Sequence, residues 1–291
     1  MKIVPKIDIH VHTTPEALLF RPDGSTYATP RELRAMYDAI GVERALLLPS
    51  VHEISNREAR NLVRDNPDVF GWWFCNFSPS TDRNDPEEDL SRILLSYNKA
   101  GARGVGELCY NRYFDDPYML NLFRHAEKCG MPVTFHIGDM GHDYGVVDEV
   151  GLPRLEKVLR MFPKLTFLGH SQKFWAEIAP CDAESRRGYP KGKVIPGRVV
   201  ELMRRYPNLC GDLSAGSGAN AVMRDPDFGY AFLEEFQDRL FFGTDICDPR
   251  NITNPMLKLS AFLDDAMLSG KISYTAYEKI SRGNALNLLE K

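Results

Sequence analysis

Nowhere do two cysteines form a CxxC pair; the six stand apart at 75, 109, 129, 181, 210 and 247. That scatter argues against a disulfide framework and against a cysteine-ligated zinc site. No apolar run approaches the roughly 20 residues that span a bilayer. The first residues lack the basic-then-apolar order of a secretory leader, because Asp8, His10 and His12 interrupt it. A reduced, cytoplasmic setting is the expectation. An excess of one charge is missing too: 36 Lys and Arg stand against 40 Asp and Glu, a net charge of −4. This gives no electrostatic reason to expect a nucleic-acid or membrane partner. A small-molecule substrate remains as the partner class, with a homo-oligomer allowed. No linker, low-complexity tract or composition shift divides the 291 residues, so one domain over 1–291 is expected. With 43% apolar and 26% charged residues, the chain has the composition of a folded protein with a large core.

Runs of β-branched and aromatic residues bounded by turn residues recur at intervals. Strands are expected near 6–12, 44–49, 70–77, 103–110, 132–137, 165–170, 209–214 and 240–246. Between them, Thr29-Pro30 opens a helix that closes at Gly41, Asp85-Pro86 one that closes at Gly101, and Asp116-Pro117 one that closes at Gly130. Further helices are expected at 54–66, 151–162, 196–206, 226–237 and 255–269, with a tail helix at about 274–289. Strand and helix alternate throughout, which requires parallel strands joined by right-handed crossovers. Eight such units predict a single α/β domain, a (β/α)8 TIM barrel with a C-terminal helix, with a doubly wound open sheet as the alternative. The stretch from Lys173 to Pro196 reads as a long loop of the kind that walls or covers a barrel mouth.

The opening strand carries His10 and His12 two residues apart, so both imidazoles share one strand face and can reach one ion. Alone, an HxH pair is weak evidence, and paired surface or core histidines are its ordinary reading. Its weight comes from company: ligand-type side chains also fall at the ends of other strand candidates, Glu107, His136, His170 and Asp245. In a parallel barrel the reacting groups gather at those C-terminal ends. His52 and His142 read as ordinary loop histidines, Asp8 as a supporting residue rather than a ligand, and Cys109 and Cys247 as small packing residues.

Asp-Ile-His-Val-His at 8–12, Val-Gly-Glu-Leu at 105–108, Val-Thr-Phe-His at 133–136, Leu-Gly-His-Ser at 168–171 and Gly-Thr-Asp at 243–245 together resemble the amidohydrolase superfamily, in particular its amidohydrolase-related group. Gly283-Asn284-Ala285 is similar to that group's closing helix. The resemblance implies a metal-bearing barrel in which His10, His12 and His136 are imidazole ligands and Asp245 binds metal or the attacking water. It implies that His170 is a ligand or a hydrogen-bond donor to the electrophile. Glu107 is similar to the bridging carboxylate of TatD-like hydrolases, so it either bridges a second ion or binds substrate beside a single one. A carbamylated-lysine bridge would need a lysine in the fourth or fifth strand segment, and neither contains one. One Zn2+ is expected, with a second allowed and Mn2+ or Fe2+ as alternatives. Substrate contacts are expected from Arg112, Lys173, Trp175 and Arg250, whose cations could hold a carboxylate.

Function follows in three versions. The first is a metal-dependent hydrolase that cleaves an amide, lactone or ester of a small metabolite with activated water. The second is a metal-dependent non-oxidative decarboxylase of an unsaturated or aromatic acid, a chemistry also found in the amidohydrolase-related group. The third is a barrel that binds a metabolite without turning it over.

Overall fold

A computed structural model describes residues 2–16, 24–49, 54–77, 85–141, 144–253 and 257–290. His52 and His142 lie outside the described residues, as does the start of the helix expected from 255. The first half runs β1 (Lys6–Val11), α1 (Pro30–Ile40), β2 (Val42–Leu47), α2 (Asn56–Asp65), β3 (Phe70–Cys75), α3 (Ser91–Lys99), β4 (Ala102–Leu108), α4 (Pro117–Cys129) and β5 (Val133–Gly138). It continues with β6 (Val146–Val147), α5 (Pro153–Met161), β7 (Phe167–His170), α6 (Gln172–Ala176), α7 (Arg198–Arg205), β8 (Leu209–Asp212), α8 (Ala215–Met223) and α9 (Pro226–Glu235). The last elements are β9 (Leu240–Phe241), α10 (Lys258–Leu268), α11 (Tyr274–Glu278) and α12 (Asn284–Leu289).

The expected punctuation forms as capping chemistry at two of its three helix starts; at the third, Asp85 accepts from Glu87 N–H at 2.8 Å in a turn instead, and α3 begins only at Ser91, with no side-chain cap. Thr29 and Glu32 close a capping box ahead of Pro30, and Gly41 takes the left-handed conformation that ends α1. Ser55 and Glu58 do the same for α2, and Asp116 caps α4 ahead of Pro117. Among the described residues no helix is long and apolar enough to cross a membrane.

Two compact units make up the chain. One comprises Met1–Trp73, Lys191–Lys193 and Gly211–Lys291, the other Phe74–Pro190 and Val194–Cys210. In the first, every residue of β1 is buried, and β1 pairs in parallel with β2, Val11 opposite Leu47. Its other edge is taken by the chain after β9, through Ile9 N–H to the Phe242 carbonyl at 3.0 Å, Asp245 N–H to the His10 carbonyl at 2.8 Å and His12 N–H to the Ile246 carbonyl at 3.0 Å. Hydrogen-bonded on both edges and buried on both faces, β1 needs the near-continuous apolar character of Ile7, Ile9 and Val11.

Lys6, at the start of β1, is also wholly buried. Its Nζ lies 2.7 Å from Asp264 of α10, and the Tyr277 hydroxyl of α11 donates to the same carboxylate at 2.7 Å. Asn284 donates to the carbonyls of Gln237 and Leu240 at 2.7 and 2.8 Å, which docks α12 beside β9.

In the second unit β4, β5 and β7 run parallel, with Leu108 opposite Phe135 and His136 opposite His170. The buried rings of Phe114, Phe123, Phe135 and Phe167 pack on one another, Phe114 against Phe135 at 4.9 Å between centroids.

Each of the eight expected strands is present. Besides the later start of α3, three local differences have physical causes. The stretch after Lys173 is not all loop: it opens with α6, a single turn in which Phe174 and Trp175 are buried. α8 was not expected, because Ala-Gly-Ser-Gly-Ala-Asn-Ala-Val-Met has two glycines and no polar stripe. The tail is not one helix, since a π-helical segment, Lys279–Gly283, separates α11 from α12. Within it the Ile280 carbonyl accepts from Phe242 N–H at 2.9 Å.

Candidate functional site

His10 and His12 leave β1 on one face, as their spacing requires. Each ring is fixed through Nδ1: His10 lies 2.6 Å from Asp212 Oδ2, and His12 lies 2.8 Å from the Leu48 carbonyl. A carbonyl only accepts, so His12 carries its proton on Nδ1. The Asp212 carboxylate imposes the same tautomer on His10. Both Nε2 atoms then expose lone pairs, and these two atoms are 3.0 Å apart. Two lone pairs at that distance repel unless a cation lies between them. Tetrahedral zinc with bonds of about 2.0–2.1 Å sets its nitrogen ligands roughly 3.3 Å apart. Asp245 Oδ1 completes a triad, 3.7 Å from His10 Nε2 and 3.5 Å from His12 Nε2.

Asp245 is held there at a cost. Its φ of 57° is in the left-handed region, which non-glycine residues rarely adopt. The bond from its own N–H to the His10 carbonyl stabilises that conformation.

Asp8, on the same strand, is wholly buried and accepts from Tyr37 Oη at 2.7 Å, Thr244 Oγ1 at 2.5 Å, Thr244 N–H at 2.9 Å and His10 N–H at 3.0 Å. It knits β1 to the segment that carries Asp245, a supporting role.

The second unit assembles its own cluster. Glu107, His136 and His170 bring ligand atoms within 4.8 Å of one another. Glu107 Oε1 is 2.9 Å from His136 Nδ1 and 3.6 Å from His170 Nε2. The register that sets His136 opposite His170 explains why two residues 34 positions apart share this carboxylate. Gly106 makes room for β4 against β5: at its φ of +140° a Cβ would meet the Thr134 carbonyl oxygen at 2.6 Å. Asn76 donates to the Glu107 carbonyl at 3.3 Å and so helps hold the end of β4.

The four residues expected to touch substrate lie in varied settings. Trp175 is 1% exposed and packs on Phe174 with ring centroids 5.0 Å apart, so its indole belongs to the core of its unit. Lys173 lies 3.3 Å from Asp139. Arg112 lies 3.3 Å from Asp116 and over the Tyr118 ring at 4.7 Å. Arg250 grips Asp248 through Nε and Nη2, which holds that carboxyl down at about 2.

Sequence reading overlooked Asp212. Its signal was available in kind, an acid at the end of a buried strand as at Glu107 and Asp245. What it does, though, depends on a partner 202 positions away. Replacing it with asparagine is expected to lower metal affinity by about 10- to 100-fold. The check is a competition titration with a chelating dye. Wild-type affinity in the Asp212→Asn protein would remove Asp212 from the centre.

A family model described as amidohydrolase matches residues 7–291. No curated protein matches the chain with significance. Among solved structures, a probable 2-pyrone-4,6-dicarboxylic acid hydrolase from Acinetobacter baumannii, with citric acid bound, is 14% identical at a TM-score of 0.61, covering 99% of this chain and 100% of that one. An amidohydrolase from Burkholderia multivorans with bound zinc is 13% identical at 0.58, covering 98% and 99%. A D-hydantoinase is 12% identical at 0.59, covering 97% of this chain and 70% of that one. At such identities the likeness carries the fold alone: α/β, of the (β/α)8 barrel type.

Proposed function

Since the chain belongs to the amidohydrolase family, matched from residue 7 to residue 291, we propose that it is a metal-dependent hydrolase that uses activated water to cleave a C–N or C–O bond, in an amide, lactone or ester, of a small metabolite. The observation that carries this reading is the pair of imidazoles whose Nδ1 atoms are both held and whose Nε2 atoms face each other at 3.0 Å, with a carboxylate beside them. That donor set, neutral nitrogen and anionic oxygen, suits a zinc ion, and Mn2+ or Fe2+ would also accept it. His10, His12 and Asp245 are the ligands proposed in the first unit, and the motif match adds His136 and Glu107 in the second.

A divalent ion bound here supplies water of lowered pKa and polarises the scissile carbonyl. The chain's own groups do the rest. Asp245 takes the proton of the attacking water and returns it to the leaving group. In the second unit His170, 2% exposed and 3.6 Å from Glu107, keeps the two roles the resemblance implies, ligand or hydrogen-bond donor to the electrophile. Asp212 and the Leu48 carbonyl keep both imidazoles in the tautomer that ligates.

The protein as purified is expected to contain about one equivalent of zinc by elemental analysis. Chelation should remove metal and activity together, and zinc should restore both. A protein free of zinc, manganese and iron even after reconstitution would end the proposal. The first compounds to assay are the one in the Acinetobacter neighbour's name, 2-pyrone-4,6-dicarboxylic acid, and a hydantoin.

A further inference from the structure

β5 and β7 are paired so that His136 lies opposite His170. Three residues beyond each stand Asp139 and Lys173, and these also meet, Nζ to Oδ2 at 3.3 Å, with the lysine side chain 6% exposed. The same Asp139 oxygen accepts from Arg187 Nε at 3.0 Å. Burial would push the Asp139 carboxyl up, and the two cations more than reverse it, holding it below the usual carboxylate range. An ionised carboxylate therefore grips the Arg187 guanidinium by its inner nitrogen. The two terminal amines of Arg187 have no partner among the described residues.

The chain around Arg187 is fixed from within. Ser185–Arg187 is a single 3-10 turn. Its middle residue, Arg186, is 3% exposed, with Nη1 donating to the Asp148 carbonyl at 2.8 Å and Nε 2.8 Å from the buried Glu177. Neighbouring arginines thus divide the work: Arg186 anchors the turn, while Arg187, 62% exposed, is presented from it. Tyr144 packs tilted against His136 at 4.5 Å between ring centroids yet is 61% exposed, and Tyr189 is 53% exposed.

We infer that Arg187 is a specificity residue whose two terminal amines take a carboxylate of a small substrate. Calling the anion a substrate rests on the hydrolase reading above. The carboxylate site itself does not. A guanidinium held by Nε offers two parallel N–H donors at the spacing of carboxylate oxygens, the geometry for which arginine outperforms lysine. Asp139 and Lys173 are positioning residues.

The test uses the full-length protein, as purified and again after chelation, with isophthalate as the anionic probe and isophthalamide as its neutral counterpart. Binding is read by calorimetry for wild type, Arg187→Gln and Arg64→Gln, the last removing an exposed arginine of α2 that pairs with its neighbour Asp65. Isophthalate is expected to bind wild type and Arg64→Gln alike, and Arg187→Gln at least about tenfold more weakly. The diamide should not bind. Thermal melting confirms that each variant folds. Equal binding of isophthalate by Arg187→Gln, equal binding of the diamide by wild type, or no isophthalate binding at all would overturn the inference. Because the chelated arm contains no metal, a failure of the hydrolase proposal would appear in metal content and turnover while leaving this result intact.

Discussion

Asp245→Asn is expected to lower turnover by about 10²- to 10⁴-fold, the range attached to a positioned proton acceptor. The amide keeps the size of the side chain and an oxygen to face His10 and His12, but it can no longer take a proton. The backbone bond from residue 245 to the His10 carbonyl does not involve the side chain, so the left-handed turn should survive. Steady-state kinetics on a substrate found in the assays above, with elemental analysis of the same sample, separates the outcomes. Lost turnover with metal retained assigns proton transfer to Asp245. Wild-type turnover would remove it from the mechanism, and lost metal would make it chiefly a ligand.

The second large effect concerns stability. Lys6 is a wholly buried cation whose ammonium is disfavoured by burial and supported by Asp264. Asp264→Leu removes the counter-charge and also the acceptor of the Tyr277 hydroxyl. Breaking one side of a buried pair typically costs about 3–5 kcal/mol. Urea unfolding followed by circular dichroism is the measurement. Lys6→Met combined with Asp264→Leu should recover most of the loss, because it leaves no uncompensated charge. A single variant within about 1 kcal/mol of wild type would show that the pair is not what holds α10 and α11 to β1.

How far the chain could be read in advance depended on whether the signal was local. Strands such as β3 and β5 announce themselves as apolar runs closed by turn residues, and α1 and α4 by proline at the start and glycine at the end. α8 carries no stripe and α6 is a single turn, so neither has a periodicity to detect. β6 is two residues long. For the candidate site, His10, His12 and Asp245 meet in one unit, and Glu107, His136 and His170 in the other. The residue types and strand-end positions marked all six. Asp212 and Arg187 escaped because their meaning lies in a partner: a carboxylate in a strand is silent until an imidazole faces it, and one exposed arginine resembles another until Asp139 takes its Nε.

The two-edged pairing of β1 bears on how the protein is made. One edge finds β2 within the next few dozen residues. The other waits for a segment so distant that the Asp8–Thr244 contact spans 236 positions. At typical synthesis rates of about 5–20 residues per second, that is roughly 10 to 50 s during which Ile7, Ile9 and Val11 lie along an open, apolar strand edge. During that window the nascent chain is most liable to pair with the wrong partner. The ribosome-bound protein, rather than the finished one, is where a chaperone would matter most.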